Sequence, residues 1–276
     1  MSEMLHYTFM QRALLAGTII GALCAVIGVY IVLRGMSFIG AGISHASFGG
    51  VALGFLLGVN PVLAAVVFCV ATALAIGVVA RKGELKEDTA VGIFFSATMA
   101  AGILFIGLTK GYNVDLFGYL FGSILAVTGE DIAITLVIGG LVIALVGFFF
   151  KELEFISFDA EMAEVVGIPQ KRLYFLLLAI TALTIVASIK VVGIVLVSAL
   201  IITPAATAYQ LADDFRLMMV LSVVFGVSAS VGGLVLSCML NTASGATIVI
   251  LATAMFFAAT IVSPRRIKGQ RKKEDS

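Results

Sequence analysis

The amino-acid sequence predicts an all-α, polytopic integral membrane protein, a bundle of about eight or nine bilayer-crossing helices. Three observations predict it. Of 276 residues, 61% are hydrophobic and 12% charged, with a mean hydropathy of +1.18, whereas soluble domains run nearer half apolar and a quarter charged. The apolar residues fall into runs of about 20, the length a helix needs to cross the ~30 Å hydrocarbon core. The runs are continuous rather than alternating, which excludes the strands of a membrane barrel.

In chain order the runs are 11–33, 36–58, 61–80, 89–108, 130–150, 173–190, 193–211, 217–239 and 246–262. Leu116–Val127 is too short to span and reads as a re-entrant or interfacial turn. One transmembrane domain over 1–264 is expected, followed by a charged tail, 265–276. No cleavable signal is expected, since the first twelve residues carry Glu3, His6 and Arg12. Cys24, Cys69 and Cys238 are far apart, without CxxC spacing, and read as small buried hydrophobes.

Lys and Arg set the orientation. Placing the loop 81–88 and the tail in the cytoplasm puts fourteen basic residues inside (Arg34, Arg81, Lys82, Lys86, Lys151, Lys171, Arg172, Arg216 and six in the tail). Only Arg12, Lys110 and Lys190 are then outside. The C-terminus is therefore expected in the cytoplasm, and nine crossings would leave the N-terminus outside.

Small residues recur at helical spacing in Gly17/Gly21, Gly50/Gly54/Gly58 and Ser222/Gly226/Ser230, where they let helix backbones approach closely. Thr203–Pro204 lies inside the run 193–211, so that helix is expected to kink or break there. Irregular backbone at membrane depth is tolerated where it is buried in protein or lines a cavity, which makes Thr203 and Pro204 candidates for a pathway wall; a purely structural kink is the alternative.

No Asp, Glu, Lys or Arg lies in the middle of any run. Ion-coupled transporters carry such groups to bind and release the coupling ion, and no GxxxxGK[ST] nucleotide loop is present either. Uphill transport would need power from another polypeptide. Residues 157–170 suit its docking: Ser157 or Asp159 can cap a short helix with Met162, Val165 and Val166 on one face, and Gly167 and Pro169 end it. Glu152, Glu154, Asp159, Glu161 and Glu164 surround that face. Anionic headgroups would repel them, which favours a protein groove over the lipid surface.

Asp-Ala-Glu-Met-Ala-Glu-Val-Val-Gly-Ile at 159–168, the segment 181–193 and Ala-Leu-Ile-Ile-Thr-Pro-Ala-Ala-Thr-Ala at 199–208 resemble the permease family of zinc, manganese and iron ABC importers. So do 34–54, which includes Gly-Ile-Ser-His-Ala-Ser, and 115–128, which opens Asp-Leu-Phe-Gly. The likeness runs from about residue 10 to 264 with the blocks in the family's order, and is nearest to the zinc-type members. It implies a permease that works as two copies, with two ABC ATPase subunits below and an extracytoplasmic metal-binding protein above, in the cell membrane. Asp159, Glu161, Met162, Glu164, Val165 and Gly167 would belong to the coupling helix gripped by the ATPase. A divalent metal, zinc by preference, with manganese or iron as alternatives, would be cargo. No permanently bound cofactor, no catalytic residue and no nucleic-acid partner are expected.

His45 is the only histidine within the runs. On composition alone a lone histidine there reads as a packing or hydrogen-bonding group; the resemblance makes it a metal-pathway residue. The chain departs from the family where many members carry an aspartate four residues earlier, since Ala41 stands there, and where zinc-type members carry an acid after Leu-Phe-Gly, since Ser123 stands there. The expected pathway therefore uses His45 from each copy, with Ser44, Ser47 or water supplying oxygen and Asp115 near the outer end as a second metal contact. Alternatives are an ATP-independent metal channel and an ABC permease for a larger cargo. The acidic segment opposes the first, and the sparse polar lining opposes the second.

Overall fold

The computed structural model describes residues 8–83, 85–109, 116–122 and 127–263. Its helices are α1 (Thr8–Leu33), α2 (Ile39–Leu57), α3 (Pro61–Lys82), α4 (Glu87–Leu108), α5 (Leu116–Phe121) and α6 (Gly129–Phe148). They continue with α7 (Phe150–Phe158), α8 (Ala160–Val165), α9 (Gln170–Val192), α10 (Val197–Leu211), α11 (Phe215–Leu240) and α12 (Ser244–Val262). Among the described residues there is no strand. Eight helices are long and apolar enough to span, and α10 is a shorter apolar helix. All nine expected runs are helical, and the short segment that begins at Leu116 holds the six-residue α5. The tail, Asp115 and Ser123 lie outside the described residues.

The helix ends follow local chemistry. Asn60 caps α3, accepting from Val62 N at 2.9 Å, with Pro61 in the first helical position. Thr128 and Asp131 form a reciprocal capping box on α6. Asp214 caps α11, accepting from Leu217 N at 3.0 Å, and Asn241 closes that helix in the left-handed region (φ 52°).

Small residues hold the bundle together. Where α1 passes α11, a Cβ on Gly21 would stand 2.6 Å from the Gly226 carbonyl oxygen, and one on Gly226 would stand 2.5 Å from that of Gly21. The Ser222 hydroxyl completes the contact by donating to the Ala25 carbonyl at 2.9 Å. Lipid is as apolar as leucine, so such close van der Waals packing and interhelical hydrogen bonding drive association. Gly50 and Gly54 seat α2 on Ala65 and Pro61 of α3 in the same way. Cys24 and Cys69 are free thiols buried in this packing.

The interruption in the seventh run falls elsewhere than expected. The helix α10 is continuous through Pro204; the break lies at 193–196, between α9 and α10. Proline deletes a single backbone donor, and α10 is packed among α1, α2, α9, α11 and α12, so neighbours hold the turn together. At 193–196 the chain instead turns through Gly193 (φ 89°) and receives α5: Ile194 N donates to Tyr119 O at 3.0 Å, and Val195 N to Leu120 O at 3.1 Å. A half-helix thus satisfies the broken one.

A Cβ on Gly193 would collide with the Phe121 carbonyl carbon and stand 2.5 Å from Gly122 N, in a backbone conformation that side chains avoid. Gly193→Ala is therefore expected to destabilise the purified protein by about 1–3 kcal/mol, read as a lowered melting temperature in detergent. Gly140→Ala, on an open face of α6 with no atom within 4 Å of the new carbon, is expected to be neutral or to raise it, by up to ~1 kcal/mol of helix propensity.

Candidate functional site

Two regions carry the chemistry singled out by the sequence. The first is on α2. His45 is half-buried, and its Nδ1 lies 3.0 Å from the Ala41 carbonyl oxygen, one turn earlier. A carbonyl only accepts, so Nδ1 holds the proton in this bond and the Nε2 lone pair is left for another partner. The imidazole rests on Phe95 of α4, with centroids 4.4 Å apart and planes tilted by 48°. Backbone and aromatic wall together fix the ring's direction.

Ser44 and Ser47 are fully buried. The Ser44 hydroxyl donates to the same Ala41 carbonyl at 3.0 Å and stands 3.5 Å from Nδ1, on the proton-bearing side of the ring. Ser47 donates to the Ser44 carbonyl. Both hydroxyl protons are thus engaged with backbone. Among the described residues no three His, Cys, Asp or Glu side chains cluster as a metal site, and His45 is the one histidine among them. Thr203 and Pro204 stand on α10; the Thr203 carbonyl accepts from the Thr207 hydroxyl at 2.7 Å. Asp115 is outside the described residues.

Sequence reasoning did not single out a small cavity where α2, α3, α5, α6 and α9 meet. Val51, Tyr119, Asp131 and Thr135 are among the residues that line it, and its volume of about 20 Å³ suits one water. It lies beside the α5 half-helix that closes the α9–α10 break. The glycines that end α5 and α9, Gly122 and Gly193 (φ 75° and 89°), are helix-stop signals from which the break was readable.

The second region is the segment 157–170. Asp159, not Ser157, caps α8: its carboxylate accepts from Met162 N at 2.9 Å, while the Ser157 hydroxyl donates back to Leu153 O at 2.6 Å. Gly167, at φ 90°, ends the helix; Gly167 N donates to Glu164 O and Ile168 N to Ala163 O. Ala163 faces inward and is fully buried, whereas Met162, Val165 and Val166 are 52%, 80% and 65% exposed. Glu161 and Glu164 are exposed beside them. Behind α8, Leu153 and Ile156 of α7 are buried. Phe150 and Phe158 pack edge-on against Phe215 at 5.6 and 6.0 Å, and Phe215 also meets Tyr30 of α1 at 5.7 Å. The arrangement is a rigid apolar knob with an acidic rim, footed on α1, α9 and α11.

Known proteins agree with this architecture. The ABC 3 transport family matches residues 6–263. The chain is 41% identical over 280 residues to a manganese transport system membrane protein MntC of Halalkalibacterium halodurans, covering 99% of this chain and 96% of that one. It is 43% identical to a protein of the same name in Listeria monocytogenes, over 95% and 94% of the two chains. Among solved structures it is similar to PsaBC from Streptococcus pneumoniae in complex with Fab, at 38% identity and a TM-score of 0.88 over 98% of both chains. The zinc-type likeness expected from the sequence has no counterpart in these names, two of which specify manganese. On a match that takes in nearly its whole length, the chain belongs to the ABC 3 transport family, the permease family that its sequence resembles.

Proposed function

We propose that the chain is the membrane-spanning permease of an ATP-driven importer that carries a divalent metal ion, manganese ahead of zinc or iron, into the cytoplasm. The observation that carries the proposal is the outward-facing knob at 159–167, which presents Met162, Val165 and Val166 to solvent. Apolar side chains on a capped, rigid element, rimmed with carboxylates, suit a groove on a soluble protein. An ABC ATPase subunit is the partner this reading assigns, and the chain itself is not an enzyme. The preference for manganese rests on the names of the relatives.

The knob shares its end of the bundle with Arg34, Arg81, Lys82, Lys86, Lys151, Lys171, Arg172 and Arg216, an excess that marks the cytoplasmic side. Above it, two copies of the permease face each other, and an extracytoplasmic binding protein delivers the ion. His45 from each copy offers Nε2 to the passing metal. The bond from Nδ1 to Ala41 O holds that tautomer, the usual supporting role of a second hydrogen bond on a ligating histidine. Manganese prefers oxygen ligands; Ser44 and Ser47, whose hydroxyls donate to backbone carbonyls and keep their oxygen lone pairs, or water complete the shell. So few protein ligands bind weakly, which suits a site the ion must leave.

Two substitutions test the two halves of this reading. His45→Ala removes the proposed ligand and should reduce manganese uptake by cells or proteoliposomes by at least the ~10–100-fold that loss of an outer-shell partner alone costs a metal site, while ATPase co-purification is retained. Wild-type uptake by this variant would remove His45 from the mechanism. Val165→Glu places a charge in the proposed buried contact, at a cost of about 3–5 kcal/mol, so ATPase co-purification should fall roughly a hundredfold or more; undiminished capture would exclude the knob as the docking element.

A further inference from the structure

At the cytoplasmic end, beyond the knob, lies a cluster that the proposed docking and metal steps do not use. Tyr174, in the second turn of α9, is 1% exposed; its buried hydroxyl lies beside the Glu87 carboxylate at the start of α4, without a hydrogen bond of ordinary geometry to it. The face of the ring is engaged more closely, by two cations. The Arg34 guanidinium carbon lies over it at 5.3 Å from the centroid and that of Arg81 at 5.6 Å, both within cation–π range. Arg81 also donates from Nη1 to Gln170 Oε1 at 3.2 Å, one turn before Tyr174 on the same face.

These residues come from three places. Arg34 stands in the tight turn between α1 and α2, where Gly35 N donates to Val32 O and Met36 N to Ile31 O. Arg81 is in the last turn of α3. Tyr174 and Gln170 open α9, and the 166–169 link that ties α9 to α8 is hydrogen-bonded along its length, with Ile168 N donating to Ala163 O and Leu173 N to Pro169 O. Arg34 Nη1 is itself buried without a hydrogen-bond partner. Burial pushes this guanidinium below its ordinary pKa, and the neighbouring Arg81 charge acts the same way; Glu87, at the start of α4, opposes both. Were α9 to move without Arg34, a half-buried guanidinium whose Nη1 already lacks a hydrogen-bond partner would also lose the ring that faces it. The contact is therefore stiff, and the two sides move together.

We propose that Tyr174 is a positioning residue that passes displacement of the 159–167 knob to the α1–α2 turn and the end of α3, and so to α2 with His45. The inference rests on the reading that an ATPase docks at the knob. Coupling runs through the face of the ring and the two cations, and the phenol oxygen takes no part. Phenylalanine should replace Tyr174, and leucine should not.

The test uses the full permease co-purified with its ATPase in proteoliposomes, with manganese as the probe, and reads three quantities: ATPase retained, ATP hydrolysed, and manganese moved per ATP. Tyr174→Phe should match wild type. Tyr174→Leu should keep the ATPase and its hydrolysis but move about tenfold less manganese per ATP, within the range typical of coupling between sites. The double variant Arg34→Gln/Arg81→Gln should behave like Tyr174→Leu, and Arg34→Lys/Arg81→Lys, which keeps both cations, should recover most of the yield. Wild-type yield per ATP in Tyr174→Leu overturns the proposal, as does equal damage in Tyr174→Phe. So does a parallel loss of melting temperature and ATPase retention in both Tyr174→Leu and Arg34→Gln/Arg81→Gln, the mark of a merely structural contact. Failure of the wild-type chain to hold the ATPase sinks the docking reading, and this proposal with it.

Discussion

Hydrocarbon offers no partner to a backbone N–H or C=O, and the rest of this structure depends on that constraint. Every segment at membrane depth has to satisfy its own amides or be satisfied by protein. Eight helices do so alone. The one described interruption between spanning helices at which a neighbouring segment supplies the partners is 193–196, where the Tyr119 and Leu120 carbonyls accept from Ile194 and Val195. The close approach this needs explains the bare backbone at Gly122, Gly193 and Gly245, where a Cβ on any one would meet main-chain atoms of the other segments. An irregular stretch so tightly met is a designed junction, and the small cavity of Val51, Tyr119, Asp131 and Thr135 lies beside it.

The same constraint sorts the polar groups. Several hydroxyls inside the spans are used locally: Thr181, Thr184 and Ser188 each donate to the carbonyl four residues earlier, which hides their polarity from lipid. Charged groups gather at the helix ends, and the largest described concentration flanks α7, α8 and the start of α9. A bundle whose described spans carry no Asp, Glu, Lys or Arg at their middle has little with which to harness an ion gradient. The proposed drive is movement imposed from its charged end, where Phe215 meets both α1 and α7 and Tyr174 gathers Arg34 and Arg81.

The spans, the Asp159-led helix and the family were legible in the sequence because each follows from a local signal: run length, a capping side chain, contiguous motifs. His45 was legible as a residue but not as a geometry. Its tautomer depends on the Ala41 carbonyl and its orientation on Phe95, contacts that need the helix and its neighbour. Pro204 misled because proline is a strong breaker in isolation, yet α10 is enclosed by other helices and runs through it. The break at Gly193 was legible as the boundary between the runs 173–190 and 193–211, but its partner was not. Glycine is abundant here, with 29 residues, and what distinguishes this one is the distant half-helix packed against it. The Tyr174 cluster joins residues far apart in the chain, and neither periodicity nor composition reports such a meeting.

The central claim is that this chain moves a divalent ion only when another polypeptide drives it. The most direct measurement is uptake of radiolabelled manganese into proteoliposomes, comparing the permease alone with the permease reconstituted with its ATPase, binding protein and ATP. Accumulation that requires every component is the result expected. Equal, ATP-independent entry through the permease alone would contradict the account and make the chain a passive channel.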